Sequence, residues 1–484
     1  MPFFSLGGNK AAATKSNGNS NGNGNGSAVH GTASNGGSKP GKGPSAGGGP
    51  TGTSSTAPAT VNGSADRNSS QAPLLLHFDV NKTIIQSDSI QMKTIEDGVR
   101  EGISELFWGR TKGEKEHMIW EWTKHKPSCL PPGSIDGVQV QAGTLLNYAQ
   151  YCKEVVKDKA DRKEVIKSFR LVTDHETREE MEKLLQMTMK KMQLSAEVRQ
   201  SLNDEAGFSG PTIKMFPSLF HLVALLSRSK RTFAVLFRSF GTDHEKIVKE
   251  WNAFCEMKHP VFSHMLQGIG PLDGSVPGVP DRRILSLHTL YRDEKGPILI
   301  LDKFTNGPES SSWDSWAKQK PRATTDTRNG RDYISKVLQA QAVEGIPKIQ
   351  QWMKQHLMAQ RTAAIKDDWA WWQYHGEVAH AGKLLTLIPG KEDTKQLFFD
   401  DNIDHNDARI VDCRDGNGAV VPLEDGLNKL YMKVNPVEAV LDDDYFLRKL
   451  QKCHGEHMEI SEGGLLEFHK QLTEVEEERN ELKK

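Results

Sequence analysis

The chain reads as an α/β protein: a doubly wound parallel sheet carrying large, mainly helical inserts. Three observations predict this. Short apolar runs switch abruptly to polar residues, as the buried strands of a parallel sheet do. Stretches with apolar spacing near 3.6 lie between those runs. Strands that alternate with helices pair in parallel through crossover connections. The 484 residues suit one large elaborated domain or two to three modules.

Residues 1–72 come first and stand apart. They hold 16 of the 43 glycines, in runs such as SNGNSNGNGNG, and no acid before Asp66. Such a segment buries too little apolar surface to offset its ordering entropy and is expected to be disordered. Its Gly36-x-x-x-x-Gly41-Lys42 run has Gly43 where a phosphate loop needs Ser or Thr, and no strand before it.

Pro73 ends the tail. Leu74–Val80 is an apolar run that turns polar at Asn81-Lys82-Thr83, the first expected strand. Helical spacing follows over Glu96–Trp108, Glu114–Lys124, Thr144–Lys157, Glu176–Met192 and Met215–Arg228. A second strand, Thr232–Arg238, ends at Ser239-Phe240-Gly241. Thr242-Asp243 then caps a helix running to about Met257. Ile284–Tyr291 and Pro297–Phe304 read as strands around Asp293–Gly296. Tyr333–Ala359 reads as mostly helical, restarted by Pro347. Further strands are expected within Leu384–Ile388, at Gln396–Phe399 (ending in Asp400-Asp401-Asn402) and at Arg409–Asp412. Asp442–Cys453 and Leu465–Leu482 read as C-terminal helices. The expected core is thus 73–85, 231–257 and 381–425, with inserts at 86–230 and 258–380 and C-terminal helices over 426–484.

Charge and cysteine content narrow the function. The tail has five basic residues and one acid, leaving 57 basic and 62 acidic residues in the body. A near-neutral body gives no electrostatic reason to expect nucleic-acid binding, and Arg228-Ser-Lys230-Arg231 reads as a solvated helix end. Five dispersed cysteines form neither a disulfide framework nor a zinc ribbon, which points to a reducing, cytoplasmic setting and leaves organelle import open. No apolar run is long enough to span a bilayer, so no membrane partner is expected. Cys453-His454-x-x-His457 lacks a fourth zinc ligand.

Two apolar strands far apart in sequence each run into acid: Asp79 on one, and Asp400, Asp401 and Asp404 on the other. Burying such carboxylates together is prohibitive without a cation, and Mg²⁺, a hard ion that accepts carboxylates and carbonyls, is the economical partner. LLLHFDVNKTI resembles the first motif of the haloacid dehalogenase-like superfamily, an apolar strand followed by Asp-x-Asp-x-Thr. AVLFRSFG resembles its second motif, a strand ending in Ser or Thr. LFFDDNID resembles the fourth, a strand ending in paired acids, readable as Asp400-Asp401 or as Asp400 with Asp404. For the third, a lysine upstream of the acids, Lys383, Lys391 and Lys395 are candidates; Lys383, 17 residues before Asp400, is preferred.

The resemblance implies a Mg²⁺-dependent phosphatase or phosphotransferase acting on a phosphorylated small molecule or phosphoprotein. Asp79 becomes the nucleophile that carries an aspartyl-phosphate. Asp79, the backbone carbonyl of Asn81, and Asp400 or Asp401 hold Mg²⁺. Ser239 and Lys383 bind phosphoryl oxygens, and Thr83 braces the turn after the strand. The insert 86–230 corresponds to a cap over the site. The chain departs from the family at Asn81, where an acid–base Asp is usual. An amide hydrogen-bonds but does not exchange a proton near pH 7, and losing general acid–base help costs about 10²–10⁴-fold. His77 is a candidate substitute acid. The alternative function is a catalytically weak or inactive phosphate-binding or interaction module on the same fold. The aromatic run Trp369–Tyr374 reads as packing beneath the second insert or as a stacking wall for a ligand.

Overall fold

The structure is a computed structural model and describes residues 72–86, 94–113, 117–132, 145–201, 210–303, 331, 333–389, 394–404 and 406–455. The expected disorder of 1–72 falls, but for Ala72, outside these residues, as do the Leu465–Leu482 helix, His457 and Lys391.

The strands, in chain order, are β1 (Leu74–Asp79), β2 (Trp108–Lys112), β3 (Ile119–Trp122), β4 (Leu145–Asn147), β5 (Phe233–Ser239), β6 (Ile284–Asp293), β7 (Gly296–Ile300), β8 (Ala342–Glu344), β9 (Thr362–Lys366), β10 (Lys383–Thr386), β11 (Lys395–Asp400), β12 (Val411–Arg414) and β13 (Tyr431–Lys433). Eight form the main sheet, in the order β13-β11-β1-β5-β9-β6-β7-β8. From β13 to β6 every neighbouring pair is parallel; β7 and β8 close that edge antiparallel. The fold is therefore α/β with a mostly parallel sheet.

β1 is covered on both faces, which is why LLLHFD shows no apolar–polar alternation. On one face Leu74, Leu76 and Phe78 pack with the helices Pro217–Arg228, His244–Cys255 and Tyr445–His454. There Phe78 stacks on Phe399 and meets Phe446 edge-on, at centroid distances of 4.9 and 5.1 Å. On the other face Leu75, Ala234 and Leu236 pack under the helix Ile346–Met358. Each such Leu or Phe stabilises the fold by about 1.5–3 kcal/mol on burial. β10 and β12 pair with each other in a separate two-stranded parallel unit, which packs over Phe398 together with Trp371 and Trp372.

Segment 86–230 departs from a mainly helical insert. It holds the helices Ile95–Ser104, Tyr148–Val155, Lys159–Ser168 and His175–Met192, but also an antiparallel sheet ordered β3-β2-β4. The helix expected over Glu114–Lys124 is instead strand β3: Ile119 is 51% exposed and Trp120 2%, the alternation of a half-buried strand. This segment has its own core, including Val99, Ile103, Phe107, Trp120, Tyr148 and Met181. It is fastened to the main body by Val437, which joins that core, and by Asn435, whose amide donates to the Gly102 carbonyl at 3.0 Å. A Cβ on Gly102 would lie 2.9 Å from Pro436 and Val437, so glycine permits this close docking.

The second expected insert, 258–380, contributes β6, β7, β8 and β9 to the main sheet rather than standing outside it. Within Tyr333–Ala359 the long helix is confined to Ile346–Met358; a π turn at Tyr333–Val337 and β8 precede it. β13 likewise lies in a region expected to be helical. No helix among the described residues is long and apolar enough to cross a membrane. All five cysteines are free.

Candidate functional site

Parallel pairing aligns the carboxyl ends of the central strands. Phe78 is in register with Phe399 and Phe237, so the next residues, Asp79, Asp400 and Arg238, leave the sheet at one level. After Asp79 the chain turns tightly. Ile84 and Ile85 donate to the Val80 carbonyl at 3.1 Å, and Lys82 takes a left-handed φ of 57°. The Thr83 hydroxyl donates to Asp79 Oδ2 at 3.4 Å and accepts from the Asp401 N–H at 3.1 Å. Thr83 thus ties the turn after β1 to the end of β11.

Lys383, at the start of β10, is buried and donates to both Asp79 and Asp400, the latter at 2.7 Å. Burial opposes its charge, but Asp400 and Asp79 outweigh burial and raise its pKa above the usual lysine range. Of the other two lysines weighed for this place, Lys395 donates to the His454 carbonyl at 2.6 Å.

One oxygen from each of Asp79, Asp400 and Asp401 lies within 4.8 Å of the others. The paired-acid reading of β11 therefore describes this group, and Asp404 is not part of it. Two further ion pairs border the group: Lys82 with Glu101 at 2.7 Å and Lys433 with Glu105 at 3.1 Å. Lys433 also donates to the Asp401 carbonyl at 3.3 Å. Carboxyl groups outnumber ammonium groups here, and burial acts on them. Burial drives the Asp79 pKa well up, against Lys383 and with help from Asp400 and Asp401. Burial also pushes Asp401 up to about 7, with Lys82 opposing and Asp400 adding. An all-oxygen donor set fits a hard divalent cation.

Ser239 closes the site from β5. Its hydroxyl accepts from the Gly241 N–H at 2.9 Å and donates to Asn81 Oδ1 at 3.2 Å. The Asn81 amide donates in turn to Asp243 Oδ2 at 2.7 Å. Asp243 occupies the N-cap position of its helix but makes no capping bond; its Oδ1 meets Lys246 at 2.8 Å instead. The sequence marks Asp243 as a cap and misses this role, because only the folded turn brings it to Asn81. It also misses Arg238 and Asp367, a buried ion pair beside Ser239. An arginine inside an apolar strand was the available signal, since such a charge is rarely buried unpaired.

His77 is buried against Phe398, with centroids 5.5 Å apart, and its Nδ1 lies 3.4 Å from Arg238. Burial and Arg238 hold its pKa well below the usual histidine range, so it is neutral and poorly suited to act as an acid. Trp371 and Trp372 are core residues, but they pack against Leu385, Phe398, Ile410 and Val411, on the β10–β12 unit and not beneath 258–380. Trp372 also stacks on Phe240 at 5.2 Å, and the Phe240 ring lies 5.2 Å from Lys383 Nζ. In the basic run, Arg231 is buried and donates to the Ala72 carbonyl, and Arg228 donates to Met265, so the run is partly structural. Comparison of the chain with family models, with curated proteins and with solved structures returned no match.

Proposed function

We propose that the chain is a haloacid dehalogenase-like, Mg²⁺-dependent phosphatase or phosphotransferase that acts through an aspartyl-phosphate on Asp79. The observation that carries this reading is the convergence of Asp79, Asp400, Asp401 and Lys383 at the carboxyl ends of β1 and β11. Supporting it, the sheet grows outward in both directions from β1, and ligands of such sheets bind where the strand order reverses.

Asp79, Asp400 or Asp401, and the backbone carbonyl of Asn81 would hold Mg²⁺. The ion would supply charge shielding between a phosphate and the carboxylate that attacks it. An Asp79 oxygen attacks phosphorus as the bond from phosphorus to the leaving oxygen breaks, forming a mixed carboxylic–phosphoric anhydride that water later cleaves. Lys383 keeps Asp79 oriented and offers a donor to the phosphoryl oxygens, and the Ser239 hydroxyl would offer another by turning its one proton from Asn81. Thr83 fixes the direction of the Asp79 carboxylate. Segment 86–230 acts as the cap that selects a phosphorylated small molecule or phosphoprotein. The five free cysteines accord with a reducing, cytoplasmic setting. Asn81 favours a second reading: a phosphate-binding or interaction module of the same fold without turnover.

The test is hydrolysis of an aryl phosphate by the full chain with Mg²⁺, beside Asp79→Asn. Turnover that needs the metal and is lost in the variant is expected. No turnover in either, together with no metal-dependent beryllofluoride binding by the wild type, rejects the reading.

A further inference from the structure

Resting on the reading just proposed, we infer that the site takes its phosphoryl group from acyl phosphates, mixed carboxylic–phosphoric anhydrides, and then holds it on Asp79. By the resemblance, a leaving group would collect its proton at position 81. Position 81 carries an amide, and its orientation is fixed. Both oxygens of Asp243 are engaged by donors, Oδ2 by the Asn81 amide at 2.7 Å and Oδ1 by Lys246 at 2.8 Å. Asn81 presents its NH₂ to Asp243 and its carbonyl oxygen to the Ser239 hydroxyl, so the carboxyl group at position 243 stands here as a hydrogen-bond acceptor.

The other neighbouring groups are turned elsewhere. Lys383 is bonded to Asp79 itself. In an in-line displacement the leaving group departs opposite the attacking oxygen, so a donor bound to the nucleophile is on the wrong side. The Thr83 hydroxyl faces Asp79, Lys82 faces Glu101, and His77 is wedged between Phe398 and Arg238. Asp400 and Asp401 would be held ionised by the cation in the proposed reading, so none of the described groups named here stands ready to protonate an alkoxide.

The chemistry balances without a protein acid when the leaving group is a carboxylate. An Asp79 oxygen forms a bond to phosphorus. The bond from phosphorus to the acyl oxygen breaks, and its electron pair leaves with the carboxylate, which needs no proton near pH 7. Hydrolysis of the aspartyl-phosphate adds water at phosphorus and releases the Asp79 carboxylate and dihydrogen phosphate, which then loses a proton to solvent. That second step lacks a general base at position 81. It is consequently slow, and the phosphorylated protein accumulates.

The experiment treats the full chain with Mg²⁺ and either acetyl phosphate or β-glycerol phosphate, and follows the intact-protein mass and phosphate release. Acetyl phosphate is expected to give a hydroxylamine-labile phosphoryl adduct that is absent in Asp79→Asn. β-Glycerol phosphate is expected to react at least about 10²-fold more slowly, the scale of missing acid catalysis. Comparable rates for the two donors overturn the inference while leaving the proposed function standing. Labelling by neither, with no beryllofluoride binding, removes both. The exchange variant Asn81→Asp/Asp243→Asn restores a carboxyl group at position 81 while keeping a hydrogen-bonded pair. Asn81→Asp alone would set two carboxylates against each other. The exchange is expected to raise β-glycerol phosphate turnover by about 10²-fold and to shorten the life of the adduct. A folded exchange variant with an unchanged donor ratio overturns the assignment to Asn81.

Discussion

Two groups of buried charges lie side by side near the carboxyl ends of the strands, and they are built on opposite principles. In one, Arg238 grips Asp367 through two nitrogens and also donates to the Leu384 carbonyl at 3.0 Å. Nearby, Asp412 lies between Arg292 and Arg414, both at 2.6 Å, while Arg292 also donates to the Gly382 carbonyl at 2.8 Å. Every acid there has a guanidinium partner. In the other group Asp79 and Asp400 share Lys383, while Lys82 and Lys433 are divided between Asp401 and the glutamates Glu101 and Glu105. Paired charge makes a rigid frame, and the frame holds the residues on either side of Lys383. In the proposed reading the acids in excess in the second group would receive a cation.

The largest effect comes from breaking the balanced group. Arg238→Met leaves Asp367 buried without its partner and is expected to cost about 3–5 kcal/mol. Denaturant unfolding of Arg238→Met, Asp367→Leu and the double variant measures this. The double variant should recover most of the loss, because a buried pair replaced by apolar groups is often near neutral. If Arg238→Met alone costs nothing, the pair is not the frame described.

A smaller effect comes from filling the unbalanced group. Mg²⁺ at about 100 times its dissociation constant is expected to stabilise the fold by about 2.7 kcal/mol, since it binds the folded form and not the unfolded chain. Thermal unfolding with and without Mg²⁺ should show the shift in the wild type and in Arg238→Met/Asp367→Leu, and none in Asp400→Asn. A shift that survives Asp400→Asn would place the cation elsewhere.

Much of this site is legible in sequence because parallel strands announce their ends. An apolar run that stops at an acid, as at Asp79 and Asp400, or at Ser239, marks both a strand and its polar rim. Lys383 is one of three lysines that the resemblance offers for its third motif, preferred among them for its distance from Asp400. What escapes is whatever depends on pairing across long separations. β9 is a short Ala-Ala-Ile stretch between Thr362 and Lys366, small because the helix Ile346–Met358 packs over it, and too short for a period to appear. β13 has three residues. β3 alternates Ile, Trp, Glu, Trp, with a strand period too brief to compete with a helical one. Asp243 obeys the capping pattern in sequence and breaks it in the fold, since Asn81 lies 162 residues away.

The smallest effect separates the two groups by sign. Asp401→Asn, studied in EDTA at about pH 4.5, should stabilise the protein by about 1 kcal/mol, the part of the upward pKa shift expressed at that pH. The amide keeps the size of the side chain, and Lys82 and Lys433 retain Glu101 and Glu105. What disappears is a carboxylate beside Asp400 and Glu105. The pH dependence gives the sharper check. The Asp401 pKa is raised by burial from 3.8 to about 7, so between those values the folded protein binds more protons than the unfolded chain. Stability of the wild type through this group therefore falls as pH rises across that window. The advantage of Asp401→Asn should be smaller still at pH 4, grow through pH 7 and then level off. Saturating Mg²⁺ at pH 8 should reverse it, because the wild type gains the ion and the variant loses a ligand. Asp412→Asn, in the balanced group, should be destabilising whether or not Mg²⁺ is present. A variant at 401 that loses stability in EDTA would mean that the acids are already neutralised within the protein, and the contrast between the two groups would be one of geometry and not of charge.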